Sequence, residues 1–141
     1  MNKSSAWFTA IVAALALSSA SIAAKEVKPS CGPPGTWCVI GTTHATNAAD
    51  HDAIVVKGSR DDFRKLKFRV KDAPLNLRRM VVTYDNGMKE DINTRENIPK
   101  GGESRNIDLH GGQRSLKRID FWYDTQGLLN GKADVTVYGL R

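Results

Sequence analysis

The chain is poor in the residues that usually announce a chemistry. It has two cysteines and three histidines, with no second Cys or His pair to complete a zinc site. No Gly-x-Ser-x-Gly elbow occurs, so the nucleophile of the α/β-hydrolases has no counterpart. Beyond residue 24 no apolar run is long enough to span a bilayer, which leaves no candidate transmembrane segment in the mature chain. Nothing sustains a 3.6-residue hydrophobic period, which argues against a helical domain. Internal repeats and low-complexity tracts are also absent.

What is present begins with a leader. Lys3 supplies a positive n-region, residues 6–17 an apolar stretch, and residues 18–24 the small side chains of a cleavage site. Residues 1–24 therefore read as a signal peptide, cut before Ala24 or Lys25. A retained anchor is the alternative, but the apolar stretch is short for a hydrocarbon core of about 30 Å. The expected location is periplasmic or secreted. A net charge of +6 favours anionic partners such as phosphorylated or carboxylated envelope polymers. Nucleic acid is not expected for an exported chain.

Cys31 and Cys38 enclose two Gly and two Pro. Outside the cytoplasm such an isolated pair is expected to form a disulfide. A redox or metal pair is the alternative, although redox motifs use closer spacing. Residues 25–36 form a polar, Pro/Gly-rich lead-in, and residues 37–141 suit one domain and no more.

From Trp37 onward, short β-like runs alternate with turn residues. Residues 64–71 alternate cleanly, with Leu66, Phe68 and Val70 on one face and Lys65, Lys67, Arg69 and Lys71 on the other. Further strands are predicted over 37–42, 53–57, 77–84, 88–92, 105–109, 117–123 and 133–138. Asp85-Asn86-Gly87 suits a type I′ hairpin turn between two of them. Residues 60–66 are the one place where a helical turn is considered. The prediction is an all-β, two-sheet sandwich of eight or nine short antiparallel strands, with jelly-roll-like connectivity as the guess.

The order of these motifs resembles a family of small exported bacterial proteins of unknown function. The matching residues are Trp37 and Gly41, Leu66 to Val70, Ile98-Pro99 with Gly101-Gly102, Ile107-Asp108-Leu109, Arg118-Ile119-Asp120-Phe121, and Ala133, Val135, Val137 and Gly139. They cover nearly the whole mature chain but are mostly core positions and turn glycines. The resemblance implies a shared fold and carries no activity with it.

Candidate chemistry is sparse. Asp50-His51-Asp52 is the densest set of potential metal ligands, but a calcium loop needs six or more oxygens, and the plainer reading is a polar loop leading into a strand. No metal and no cofactor is expected. Plentiful carboxylates (Glu90, Asp91, Glu96, Glu103, Asp108, Asp120) permit a glycosidase pair without identifying one. The basic strand is more informative. If it shares a sheet with the strand over 117–123, Lys65, Lys67 and Arg69 join Arg118 and Trp122 in one cationic surface with an aromatic plate. Such a surface suits an anionic glycan or lipid head group, with Arg forking onto the anion and Trp stacking on a ring. The expectation is a non-catalytic binding module. The alternatives are a hydrolase of envelope polymer, or a structural or inhibitory protein-binding module.

Overall fold

The computed structural model describes residues 24–46, 51–58, 62–110, 114–124 and 132–141. Apart from Ala24, the expected leader lies outside these residues, as does Asp50. The described residues form no helix, and eleven strands: β1 (Lys25–Val27), β2 (Trp37–Thr46), β3 (His51–Val56), β4 (Asp62–Phe63), β5 (Lys65–Lys71), β6 (Leu75–Tyr84), β7 (Lys89–Ile92), β8 (Glu96–Ile98), β9 (Ile107–Asp108), β10 (Arg114–Asp124) and β11 (Lys132–Leu140). No helix among them is long and apolar enough to cross a membrane.

The strands make two open sheets. One has seven strands in the order β1-β3-β10-β6-β7, with β4 also on β10 and β8 also on β6; the other has four in the order β2-β11-β5-β9. This order does not confirm jelly-roll connectivity. The eight predicted strands correspond to β2, β3, β5, β6, β7, β9, β10 and β11. The other three, β1, β4 and β8, are too short to show alternation in a sequence. β1 also breaks the all-antiparallel expectation, because it pairs parallel to β3, Lys25 opposite Ile54. The polar lead-in thus begins as a sheet edge, held by backbone hydrogen bonds and by Val27 against the core.

Of the helical turn considered over 60–66, residues 60 and 61 lie outside the described residues, and the rest holds β4 and the start of β5. Phe63 is fully buried, and Ser115 Oγ donates to Asp62 Oδ1 at 2.6 Å to tie β4 to β10. The type I′ expectation also needs correction. Of Asp85, Asn86 and Gly87 only Gly87 has positive φ, 84°. Gly87 N donates to Tyr84 O and Tyr84 N to Met88 O, both at 2.9 Å. The connection is therefore a three-residue loop, a type I turn closed by a left-handed glycine, in place of a two-residue I′ turn.

Alternation in β5 is as predicted: Leu66, Phe68 and Val70 are buried. They meet Ile119, Phe121 and Tyr123 of β10 from the facing sheet, all buried too. The Ile98-Pro99…Gly101-Gly102 passage lies along the edge of β5. Gly101 N donates to Val70 O at 2.9 Å, and Ser104 exchanges hydrogen bonds with the Phe68 backbone at 2.7 and 2.8 Å. This passage covers ladder groups that would otherwise be open to pairing with another chain. Cys31 and Cys38 are disulfide-bonded, with Cα atoms 4.5 Å apart, and Ser30 pairs with Val39 beside them.

Candidate functional site

Two β-bulges shape the outer face of the seven-stranded sheet. On β6 the register runs Leu77 opposite Tyr123 and Arg79 opposite Trp122, so Arg78 is an extra residue. The buried positions shift phase across it, from Leu75 and Leu77 to Met80, Val82 and Tyr84. Arg78 and Arg79 are consequently both exposed. On the neighbouring β10, Leu116 lies opposite Tyr84 and Arg118 opposite Thr83, which leaves Lys117 as the extra residue. Its buried positions jump from Leu116 to Ile119. Each bulge thus turns two consecutive cations outward, the re-aiming that bulges commonly achieve next to functional sites.

A groove of about 610 Å³ opens beside the first bulge, lined by Asn76, Arg78, Arg79, Asp91, Asn93, Arg95 and Asn97. Asn76 and Asn97 face each other across the β6–β8 pair. Arg79 forks onto Asp91, with Nε to Oδ1 at 3.0 Å and Nη2 to Oδ2 at 2.6 Å. This bidentate donation holds the Asp91 carboxyl below its ordinary range and raises the Arg79 guanidinium. Arg78 is bonded to Asp124. Arg95 forms no ion pair among the described residues.

A second groove, of about 540 Å³, includes Arg79, Val81, Thr83, Lys89, Lys117, Arg118, Asp120, Trp122 and His51 in its lining. Asp120 accepts Arg118 Nε at 2.9 Å and Nη2 at 3.0 Å, and lies 2.9 Å from His51 Nε2. The His51 ring stacks on Trp122 with centroids 4.1 Å apart. Arg79 lies 4.9 Å from the Trp122 centroid. Since β3 and β6 flank β10 on opposite sides, His51 and Arg79 cover both faces of the indole, so Trp122 offers no stacking platform. Lys89 and Lys117 form no ion pair among the described residues. Around the two grooves six cations (Arg78, Arg79, Lys89, Arg95, Lys117 and Arg118) stand against the carboxylates Asp91 and Asp120 and Arg78's partner Asp124.

The expected single surface does not exist. Arg118 and Trp122 lie on the seven-stranded sheet, whereas Lys65, Lys67 and Arg69 lie on the four-stranded one. The two sheets meet through their inward residues, so the outward rows look away from each other. The basic row is also largely occupied. Lys65 pairs with Asp108 at 3.3 Å and Lys67 with Glu103 at 3.4 Å. Lys67 is only 17% exposed at its side chain, with Nζ 4.4 Å from the Trp37 ring centroid and 5.5 Å from that of Tyr138. It works as a tie among β2, β5 and β11. Arg69 remains exposed, beside Lys71, Thr136 and Tyr138.

Of the Asp-His-Asp cluster, the two described residues part company as well. His51 and Asp52 are consecutive in β3, so one faces Trp122 and the other turns inward toward Tyr123 and Thr43. Burial raises the Asp52 carboxyl above its ordinary value, while the Tyr123 and Thr43 hydroxyls and the nearby histidines pull it the other way. No His, Cys, Asp and Glu group suited to a metal ion occurs among the described residues.

The face that the structure does assemble rests on Arg78, Arg79, Lys89, Arg95 and Lys117, none of which alternation singles out. The signal that finds three of them, and Arg118 with them, is a break in phase: Leu77 to Met80, and Leu116 to Ile119, each enclosing two basic residues; Lys89, just past the β6–β7 turn, carries no such mark. For Arg95, which sits outside regular structure just before β8, the sequence offers no such mark.

The family model described as Domain of unknown function (DUF2541) matches residues 10–139. No curated protein matches the chain.

Proposed function

The chain belongs to this family of domains of unknown function, and we propose that it is a non-catalytic module that binds an acidic glycan on the outer face of its seven-stranded sheet. The observation that carries this reading is the groove in which Arg95, free of any ion pair among the described residues, stands with Arg78, Arg79 and the amides of Asn76, Asn93 and Asn97. An Arg fork matches a carboxylate or phosphate, and an amide both donates to and accepts from sugar hydroxyls. Together they read charge and hydroxyls without an aromatic plate.

Two rivals fit less well. Hydrolysis of a glycosidic bond needs two carboxyl groups free to act across the sugar, yet Asp91, Asp120 and Asp124 are each held by an arginine of the same face. Stable docking on a lipid surface is helped by adjoining exposed apolar residues beside the cations. The large exposed ones among the described residues, Val39 and Met88, stand apart from each other, on β2 of the other sheet and in the β6–β7 turn next to Lys89. The disulfide and the leader-like first residues support a periplasmic or secreted setting.

Isothermal titration of the mature protein with oligogalacturonate and with a phosphorylated oligosaccharide tests the reading. Binding should weaken as salt rises, since exposed charges are screened over about 8–10 Å at physiological ionic strength. Arg95→Gln should lower affinity about tenfold, the worth of one charge-assisted hydrogen bond. Binding to anionic vesicles with no binding to either saccharide would overturn it.

A further inference from the structure

We infer that the ligand of this face is a polymer, and that the bulge at Lys117 and Arg118 builds a second anion subsite along the same chain. The inference rests on the glycan reading and adds the length of the ligand to it. Arg79 lines both grooves, so the two adjoin along β6. In the second groove Thr83 lies opposite Arg118 on β10 and opposite Lys89 on β7. A small hydroxyl side chain is thereby flanked by a cation on each side, with about 9.5 Å between the two outer strands. The bulge adds Lys117 beside Arg118, as the β6 bulge adds Arg78 beside Arg79.

The spacing gives the chemistry. Arg79 and Thr83 are four residues apart on β6, which separates the two cationic centres by about 13 Å along the strand. A monosaccharide cannot reach both. A chain bearing an anionic group at regular intervals can, passing over Val81, whose flanking carboxylates Asp120 and Asp91 are each already forked by an arginine. Lys89 and Lys117, which form no ion pair among the described residues, are available to it.

The test compares digalacturonate with octagalacturonate by isothermal titration, on the wild type and on a Lys89→Gln/Lys117→Gln double variant whose thermal melt is checked against the wild type. The wild type should bind the octamer at least about tenfold more tightly than the dimer, because a second subsite adds at least one charge-assisted contact. The double variant should lose that advantage while keeping its affinity for the dimer. If the octamer's advantage survives the double substitution, it reflects repeated copies of one site on a longer chain, and the second subsite is wrong. Equal affinity of the wild type for both lengths overturns it as well. If neither saccharide binds, the glycan reading itself has failed.

Discussion

Phe68 of β5 and Phe121 of β10 meet edge to face across the sandwich, their ring centroids 5.3 Å apart and their planes at 65°. This one contact fixes the phase of both strands. It turns Lys67 and Arg69 toward one side of the domain, and Arg118 and Trp122 toward the other. The two outward rows therefore cannot form one surface.

Phe68→Ala should cost about 3–5 kcal/mol, the range for truncating a buried aromatic ring, because the side chain is fully buried. Equilibrium denaturation in urea measures it. A loss below about 1 kcal/mol would mean that the ring is not packed between the sheets.

Gly139 has room for no side chain: a Cβ there would stand 2.4 Å from the Phe63 ring. Gly139→Ala must displace a buried aromatic from under β11, and should destabilise the domain by about 1–3 kcal/mol. The same denaturation experiment reports it. An unchanged midpoint would show that β4 does not lie over β11.

The Cys31–Cys38 bond closes a short loop, so the chain-entropy argument assigns it about 2.5 kcal/mol. Thermal melts with and without reductant should differ accordingly, and alkylation before reduction should label neither cysteine. Full labelling without reductant would contradict the bond.

Asp52 makes stability depend on pH. Its folded pKa is raised above the reference value of 3.8 by burial, so the folded state holds the proton more tightly than the unfolded chain. The resulting stabilisation is complete below 3.8 and is lost as pH rises through the folded value. Asp52→Asn removes this dependence. The melting temperature of the variant relative to wild type should therefore rise from acid to neutral pH. A constant offset would place Asp52 in solvent.

Much of the fold is legible in the sequence because a half-buried strand writes its own alternation. Leu66, Phe68 and Val70 announce β5, and Ile119, Phe121 and Tyr123 announce β10. β4 and β8 escape because two or three residues cannot display a period. Which sheet a strand joins is equally silent, since pairing is decided by contacts distant in sequence, and so the sequence leaves open whether the basic row of β5 shares a face with Trp122. The proposed binding face is hidden for a related reason. Alternation marks regular strands, whereas Arg78-Arg79 and Lys117-Arg118 owe their common orientation to irregular ones.

The most direct test of the central claim is a backbone amide chemical-shift titration of the protein with oligogalacturonate. The account predicts that the saccharide-dependent changes cluster at Asn76, Arg79, Asn93, Arg95 and Asn97, with Arg69 and Lys71 on the opposite sheet unmoved. Changes concentrated on β5 and β11, or no changes at saturating saccharide, would contradict it.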